Sequence, residues 1–292
     1  MIFENADYRD FCAEGTTYRE DKVPVSVQVT LKVITFKPAK PSGVPPAERA
    51  EHPPVVFVPG WITLMAAWKD VLREMTKDFT VHYIETREKI SSEVTGKVPY
   101  TVEALGKDIA SFVSRLGLKN GQYALFGSSL GATVVLDCIR FLGEKPKCII
   151  VVGPNAEFRV PWWGMIVIGL FYPPFYSLMK PFVKWYLRNF RLNVENDIAQ
   201  YQKYCNNLDA ADPWKLKKAA WAFSSYTVWD LLPAIDLPVL LVSASKDKLH
   251  EPENLRKMAA MLPRCTVDDF ETNQGTHSAG MVEAMRKYLD GI

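Results

Sequence analysis

The chain has no dominant charge. Its 292 residues carry 35 Lys and Arg against 33 Asp and Glu, a formal net charge of +2. Without a global basic field, nucleic acid is not an expected partner. Cysteine is sparse: Cys12, Cys138, Cys148, Cys205 and Cys265 are scattered and odd in number. No pair has metal-ligand or redox-motif spacing, so reduced thiols in a cytoplasmic protein, with no metal or other cofactor, are expected. The opening residues, MIFENADYRDFCAEG, carry acids and no apolar run, so no secretory signal is expected. Internal repeats and low-complexity tracts are lacking. What is plentiful is apolar: 48% of residues are hydrophobic, ample for one large core or a core plus an insertion.

Short apolar strands alternate with helical patterns. Val23–Pro38 alternates and is rich in Val and Thr, which predicts a strand pair or one long bent strand. Further strands are expected at VVFV (55–58), FTVHYIE (79–85), YALF (123–126), CIIVV (148–152), VLLVS (239–243) and TVDDF (266–270). Leu105, Ile109, Phe112, Val113 and Leu116 share one helical face, with Thr101 as N-cap and Gly117 as stop. Such alternation predicts an α/β fold, a mostly parallel sheet covered by helices on both faces. Residues of about 158–235 show no strand signal. The expected organisation is therefore a core from residues 1–157, a helical cap over 158–235, and the rest of the core over 236–292.

Chemistry enters at LFGSSLGA, where Gly127, Ser129 and Gly131 form G-x-S-x-G between a strand and a helix. That spacing builds a sharp turn with the central serine exposed at the carboxyl end of the sheet. An ordinary serine hydroxyl needs a base. Of His52, His82, His250 and His277, the last lies in NQGTHSAG, a loop with small neighbours, and is the expected base. Asp247, just past VLLVS, is the expected acid that orients it, with Glu157 as runner-up. The chain order Ser129, Asp247, His277 fits a sheet-based serine triad. Backbone N–H groups of Leu130 and Trp61 are the expected donors to an oxyanion, Gly60 letting the second backbone approach closely.

These residues resemble the α/β-hydrolase superfamily of serine hydrolases with a helical cap, from about Val23 to the C-terminus. The elbow, the acid after VLLVS and the histidine in GTHSAG carry the resemblance. It implies hydrolysis of an apolar carboxylic ester, esterase- or lipase-like, through an acyl-enzyme. A thioesterase, an acyltransferase, a lactonase or a C–C hydrolase would use the same triad, and a binding protein for a hydrophobic ligand would use only the pocket. Two departures stand out. Pro59-Gly60 replaces the His-Gly of many members, and ETREKISSE (85–93) lacks the glycines of the family's Asp-x-Arg-Gly-x-Gly-x-Ser loop.

Between Arg159 and Lys180 lie twenty residues without charge. A straight helix of that length would cross a bilayer core. Pro161, Pro173 and Pro174 interrupt it, and a single span would put Ser129 and His277 on opposite sides of the membrane. The segment is therefore expected to line an acyl-sized pocket, with Trp162, Trp163, Phe171 and Phe175 touching substrate. In the following stretch, Lys180, Lys184, Arg188 and Arg191 would form one basic stripe on an aromatic helix, a composition suited to peripheral membrane contact.

Overall fold

A computed structural model describes residues 7–39, 52–158, 160–191, 194, 198–246 and 252–292. The sheet begins with a hairpin, β1 (Thr17–Pro24) and β2 (Val29–Lys37), paired from Thr17 against Lys37 to Pro24 against Thr30. β1 starts six residues before the alternating apolar pattern, in the charged run TYREDK. It is an edge strand with most of its side chains in water, so no core face imposes an apolar period on it. Of the two readings expected for Val23–Pro38, a strand pair or one bent strand, the structure has a pair, but its first member starts at Thr17 and shares only Val23 and Pro24 with that stretch.

Next come β3 (Val55–Val58), α1 (Lys69–Met75), β4 (Val81–Glu85), the short β5 (Glu93–Val94), α2 (Val102–Leu116), β6 (Ala124–Ser128), α3 (Leu130–Cys138) and β7 (Cys148–Val152). The α-helices α4 (Trp162–Leu170), α5 (Tyr176–Tyr186), α6 (Ile198–Ala210) and α7 (Pro213–Phe223) follow. The sheet resumes with β8 (Val239–Ser243), α8 (Pro252–Met261), β9 (Cys265–Asp269), the single turn α9 (Asn273–Thr276) and α10 (Ala279–Asp290). The strand order is β1-β2-β4-β3-β6-β7-β8-β9, with β5 paired to β2. From β4 to β9 every neighbour is parallel; β1 and β2 are antiparallel.

The inner parallel strands β3, β6, β7 and β8 are buried on both faces, which is why they read as unbroken apolar runs, whereas the edge strand β9 is half exposed. In β3, Val56 and Val58 join one core cluster, and Val55 and Phe57 the other. The first cluster packs α2, α3 and α8 on one face of the sheet; the second packs α1 and α10 on the other. The ends of α2 are as read from the sequence. The Thr101 hydroxyl accepts from the Ala104 N–H, and Gly117 closes the helix at φ 67°.

The residues that line the site lie at, or in the segments that follow, the carboxyl ends of β3, β6, β7, β8 and β9, or on α6. Among the described residues, no single helix is long and apolar enough to cross a membrane. α4 and the stretch Pro173–Phe190 are bent by 99° relative to each other.

Candidate active site

The turn from β6 into α3 is as tight as its glycines imply. Ser129 sits at φ 50°, ψ −119°, a backbone region that side chains rarely adopt. A Cβ on Gly127 would come within 2.6 Å of Ala132 Cα, and one on Gly131 within 2.2 Å of the Val58 carbonyl. Only hydrogen fits at either place, so α3 lies directly on the end of β3. The Ser129 N–H is held by the Val152 carbonyl at 2.9 Å, which fixes the turn to β7. Its hydroxyl takes no part in capping α3 and accepts from Asn155 Nδ2 at 3.0 Å.

Beside it runs the loop after β3. A Cβ on Gly60 would stand 3.3 Å from Ser129 Cβ, so this backbone passes against the serine. Ile62 holds φ 50° in the same loop. Among the described residues, neither the Trp61 nor the Leu130 N–H is engaged by a carbonyl. The loop is pinned from beneath. Buried Lys89 donates to the carbonyls of Gly60 at 3.0 Å and Thr63 at 2.8 Å. Asn207 of α6 accepts from the Leu64 N–H at 3.0 Å. Lys215 of α7 in turn grips the Lys89 and Ser92 carbonyls, each at 2.6 Å, and burial holds its ammonium below the usual lysine range.

His277 follows α9 and stacks on Trp68, ring centroids 4.1 Å apart. Its Nδ1 meets the Asn273 carbonyl at 2.8 Å and the Thr276 hydroxyl at 3.1 Å. A carbonyl can only accept, so Nδ1 carries the proton and Nε2 presents its lone pair. Lys203 of α6 lies 3.4 Å from Nε2 and donates to Asn273 Oδ1 at 2.9 Å.

Ser129 and His277 line one pocket of about 190 Å³ with Trp61, Trp68, Lys203 and Asn207. Asp247 and His250 lie outside the described residues. Glu157, the runner-up acid, accepts from Trp229 Nε1 at 3.4 Å, away from that pocket. His82 lies in β4 and bonds Thr35, and His52 stacks on Phe79 at the opposite end of the sheet.

The four residues expected to touch substrate lie outside this pocket. Trp162, Trp163 and Phe175 point into solvent, and Phe171 packs on Tyr176; none of the four lines the pocket. Apolarity alone does not say which way a helix faces, and α6 supplies the pocket wall instead. Lys203, Tyr204 and Asn207, at i, i+1 and i+4 of that helix, were not singled out from the sequence. Their helix has a weak polar pattern, and only i to i+4 spacing hinted at a shared face. Asn155 was also missed, although it follows the carboxyl end of β7, where this architecture places ligand-facing groups.

The sheet order, the serine turn and the pocket at the strands' carboxyl ends define an α/β-hydrolase. Residues 54–279 match the family model described as serine aminopeptidase, S33, and the chain belongs to that hydrolase family. No curated protein sequence matches it significantly. Solved structures with the same fold include a thermophilic esterase from Thermogutta terrifontis, 19% identical, covering 94% of this chain and 98% of its own at a TM-score of 0.69. An enol-lactonase from Burkholderia xenovorans is 16% identical over 90% and 96% of the two chains, TM-score 0.69. A bromoperoxidase from Bacillus anthracis is 14% identical over 94% and 100%, TM-score 0.70.

Proposed function

We propose that the chain is a serine hydrolase that cleaves carboxylic esters with a small acyl group through an acyl-enzyme. One observation carries this reading: a serine held at φ 50° lines the same pocket as a histidine whose Nδ1 donates to the Asn273 carbonyl, which makes Nε2 the basic nitrogen, and the Trp61 and Leu130 N–H groups, which no carbonyl engages among the described residues, stand beside it. Ser129 Oγ attacks the ester carbonyl carbon as His277 Nε2 takes its proton. The oxyanion receives the Leu130 and Trp61 N–H groups. Collapse expels the alcohol, which leaves with the proton from His277. Water, deprotonated by the same histidine, then releases the acid and frees Ser129. Asp247 is assigned the orienting role by its place after β8.

Size and charge narrow the substrate. A pocket of about 190 Å³ is below the roughly 300–1,000 Å³ of sites for larger ligands. A short acyl group therefore replaces the long acyl chain expected from the apolar stretch, which does not line the pocket. A peptide N-terminus is disfavoured. Among the described lining residues there is no carboxylate to hold an ammonium group, and Lys203 would repel one.

The test is covalent labelling by a fluorophosphonate, followed by a panel of p-nitrophenyl esters of rising chain length and an aminoacyl anilide. Labelling at Ser129 is expected, with turnover best for acetyl and butyryl esters and negligible for the anilide. In Ser129→Ala, turnover should fall roughly 10⁴-fold or more while the melting midpoint holds. Ester hydrolysis retained in that variant would refute the assignment.

A further inference from the structure

The inserted helices are built inside out. In α5 the side chains at i, i+4 and i+7, Leu178, Phe182 and Trp185, are exposed; Leu178 is 74% and Phe182 58% accessible. The cations of the same helix turn inward. Lys184 meets Asp209 of α6 at 2.7 Å and Lys180 meets it at 3.6 Å, with their side chains 26% and 22% accessible. The Tyr176 hydroxyl donates to the Leu208 carbonyl at 2.8 Å, fixing the helix in that orientation. The preceding α4 is bare as well, with Trp162 76% accessible. Its C-terminal carbonyls are taken by Lys217 of α7, which bonds those of Gly169 and Phe171 at 2.7 Å each. From the pocket outward the order is therefore α6, then α5, then an apolar aromatic surface.

Such a face is unstable in water and needs a cover. Its charge indicates which. From Phe158 to Val194 there is no Asp or Glu; Lys180 and Lys184 are paired to Asp209 of α6, and the segment's other charges, Arg159, Arg188 and Arg191, are all cations, with Arg188 exposed. Tryptophan, tyrosine and phenylalanine side chains beside basic residues suit the level of lipid headgroups, where an apolar body sinks in and cations meet phosphate. The 99° bend between α4 and the following helix lets both lie flat rather than cross.

We propose that α4 and α5 dock the protein onto an anionic lipid surface, side-on and without spanning it. This placement is independent of the role given to Ser129. It puts α5 in the interface, with α6 and the pocket beneath it on the aqueous side.

The test is flotation of the full chain with vesicles of phosphatidylcholine alone and of phosphatidylcholine with phosphatidylserine. Binding is expected with the anionic vesicles at low salt, weakening at high salt as the screening length shrinks. The variant Leu178→Ser, Phe182→Ser, Trp185→Ser should lose binding about tenfold or more and keep its melting midpoint and its turnover of a soluble ester. Arg188→Gln should weaken binding to the anionic vesicles only. Failure of the parent protein to float with either vesicle at low salt would overturn the proposal, as would a triple variant that floats as well as the parent. Sedimentation covers the remaining occupant. A dimer dispersed by the triple substitution and indifferent to vesicles would make the partner a second copy, and would equally overturn it.

Discussion

Lys89 lies in ETREKISSE, the stretch that lacks its family's usual glycines, and shows what side chains do in their place. Its ammonium is buried and spans two carbonyls of the loop that carries the Trp61 N–H. It does not line the pocket, and its proposed part is positioning. In Lys89→Met the Gly60 and Thr63 carbonyls lose their donor, and the loop loses its fixed distance from Ser129. Removing one oxyanion donor costs about 10²–10³-fold in kcat, so misplacing one should cost about tenfold or more. Steady-state kinetics should show the loss in kcat with KM little changed; an equal rise in KM would assign Lys89 to ground-state binding. Ser129 and His277, which share the candidate pocket, were legible because the proposed chemistry demands particular residue types at particular spacings and strand ends. Lys89, Asn155 and Lys203 were not, because a lysine or asparagine in a polar run has no periodic signature. Their partners are backbone or side-chain groups brought near only by the fold.

Elements were legible where burial imposed a period. The strands β3, β6, β7 and β8 read as short apolar runs because helices cover both faces, and α2 read clearly because one face is buried and both ends are capped. The start of β1 was hidden by its exposure. α5 was visible as an amphipathic helix but its orientation was not: pairing of Lys180 and Lys184 to Asp209 turns the aromatic face outward, against the usual expectation. The junction of β3 with α3 makes an element-scale prediction. Gly131→Ala would push a methyl into the Val58 and Pro59 carbonyls, 2.2 and 2.5 Å away. Neither atom is the end of a flexible side chain, so α3 must shift off the sheet. The expected loss is about 3 kcal/mol or more, at the severe end of single substitutions. Urea unfolding would measure it, and a midpoint within error of the parent would show that the helix can give way freely.

For the molecule as a whole, acid should act through the sheet as well as the site. His82 of β4 is buried, bonded to Thr35 of β2 at 3.0 Å and edge-on to Phe112. Burial first, then the nearby cations Lys37 and Arg19, lowers its pKa from 6.5 to about 4. The sign follows from the proton count. At pH 7 the imidazole is neutral whether the chain is folded or not. Below pH 6.5 the unfolded chain takes up a proton that the folded one refuses until about pH 4. Stability present above 6.5 is therefore lost progressively as pH falls toward 4. At pH 5 the loss from this one group is on the order of 2 kcal/mol. His82→Gln keeps a hydrogen-bonding side chain for Thr35 and has nothing to titrate. Urea midpoints at pH 7, 6 and 5 should fall more steeply for the parent than for this variant, while the other histidines and the carboxylates contribute to both alike. Parallel slopes would mean that His82 accepts its proton in place, and that the contact between β2 and β4 tolerates a charge.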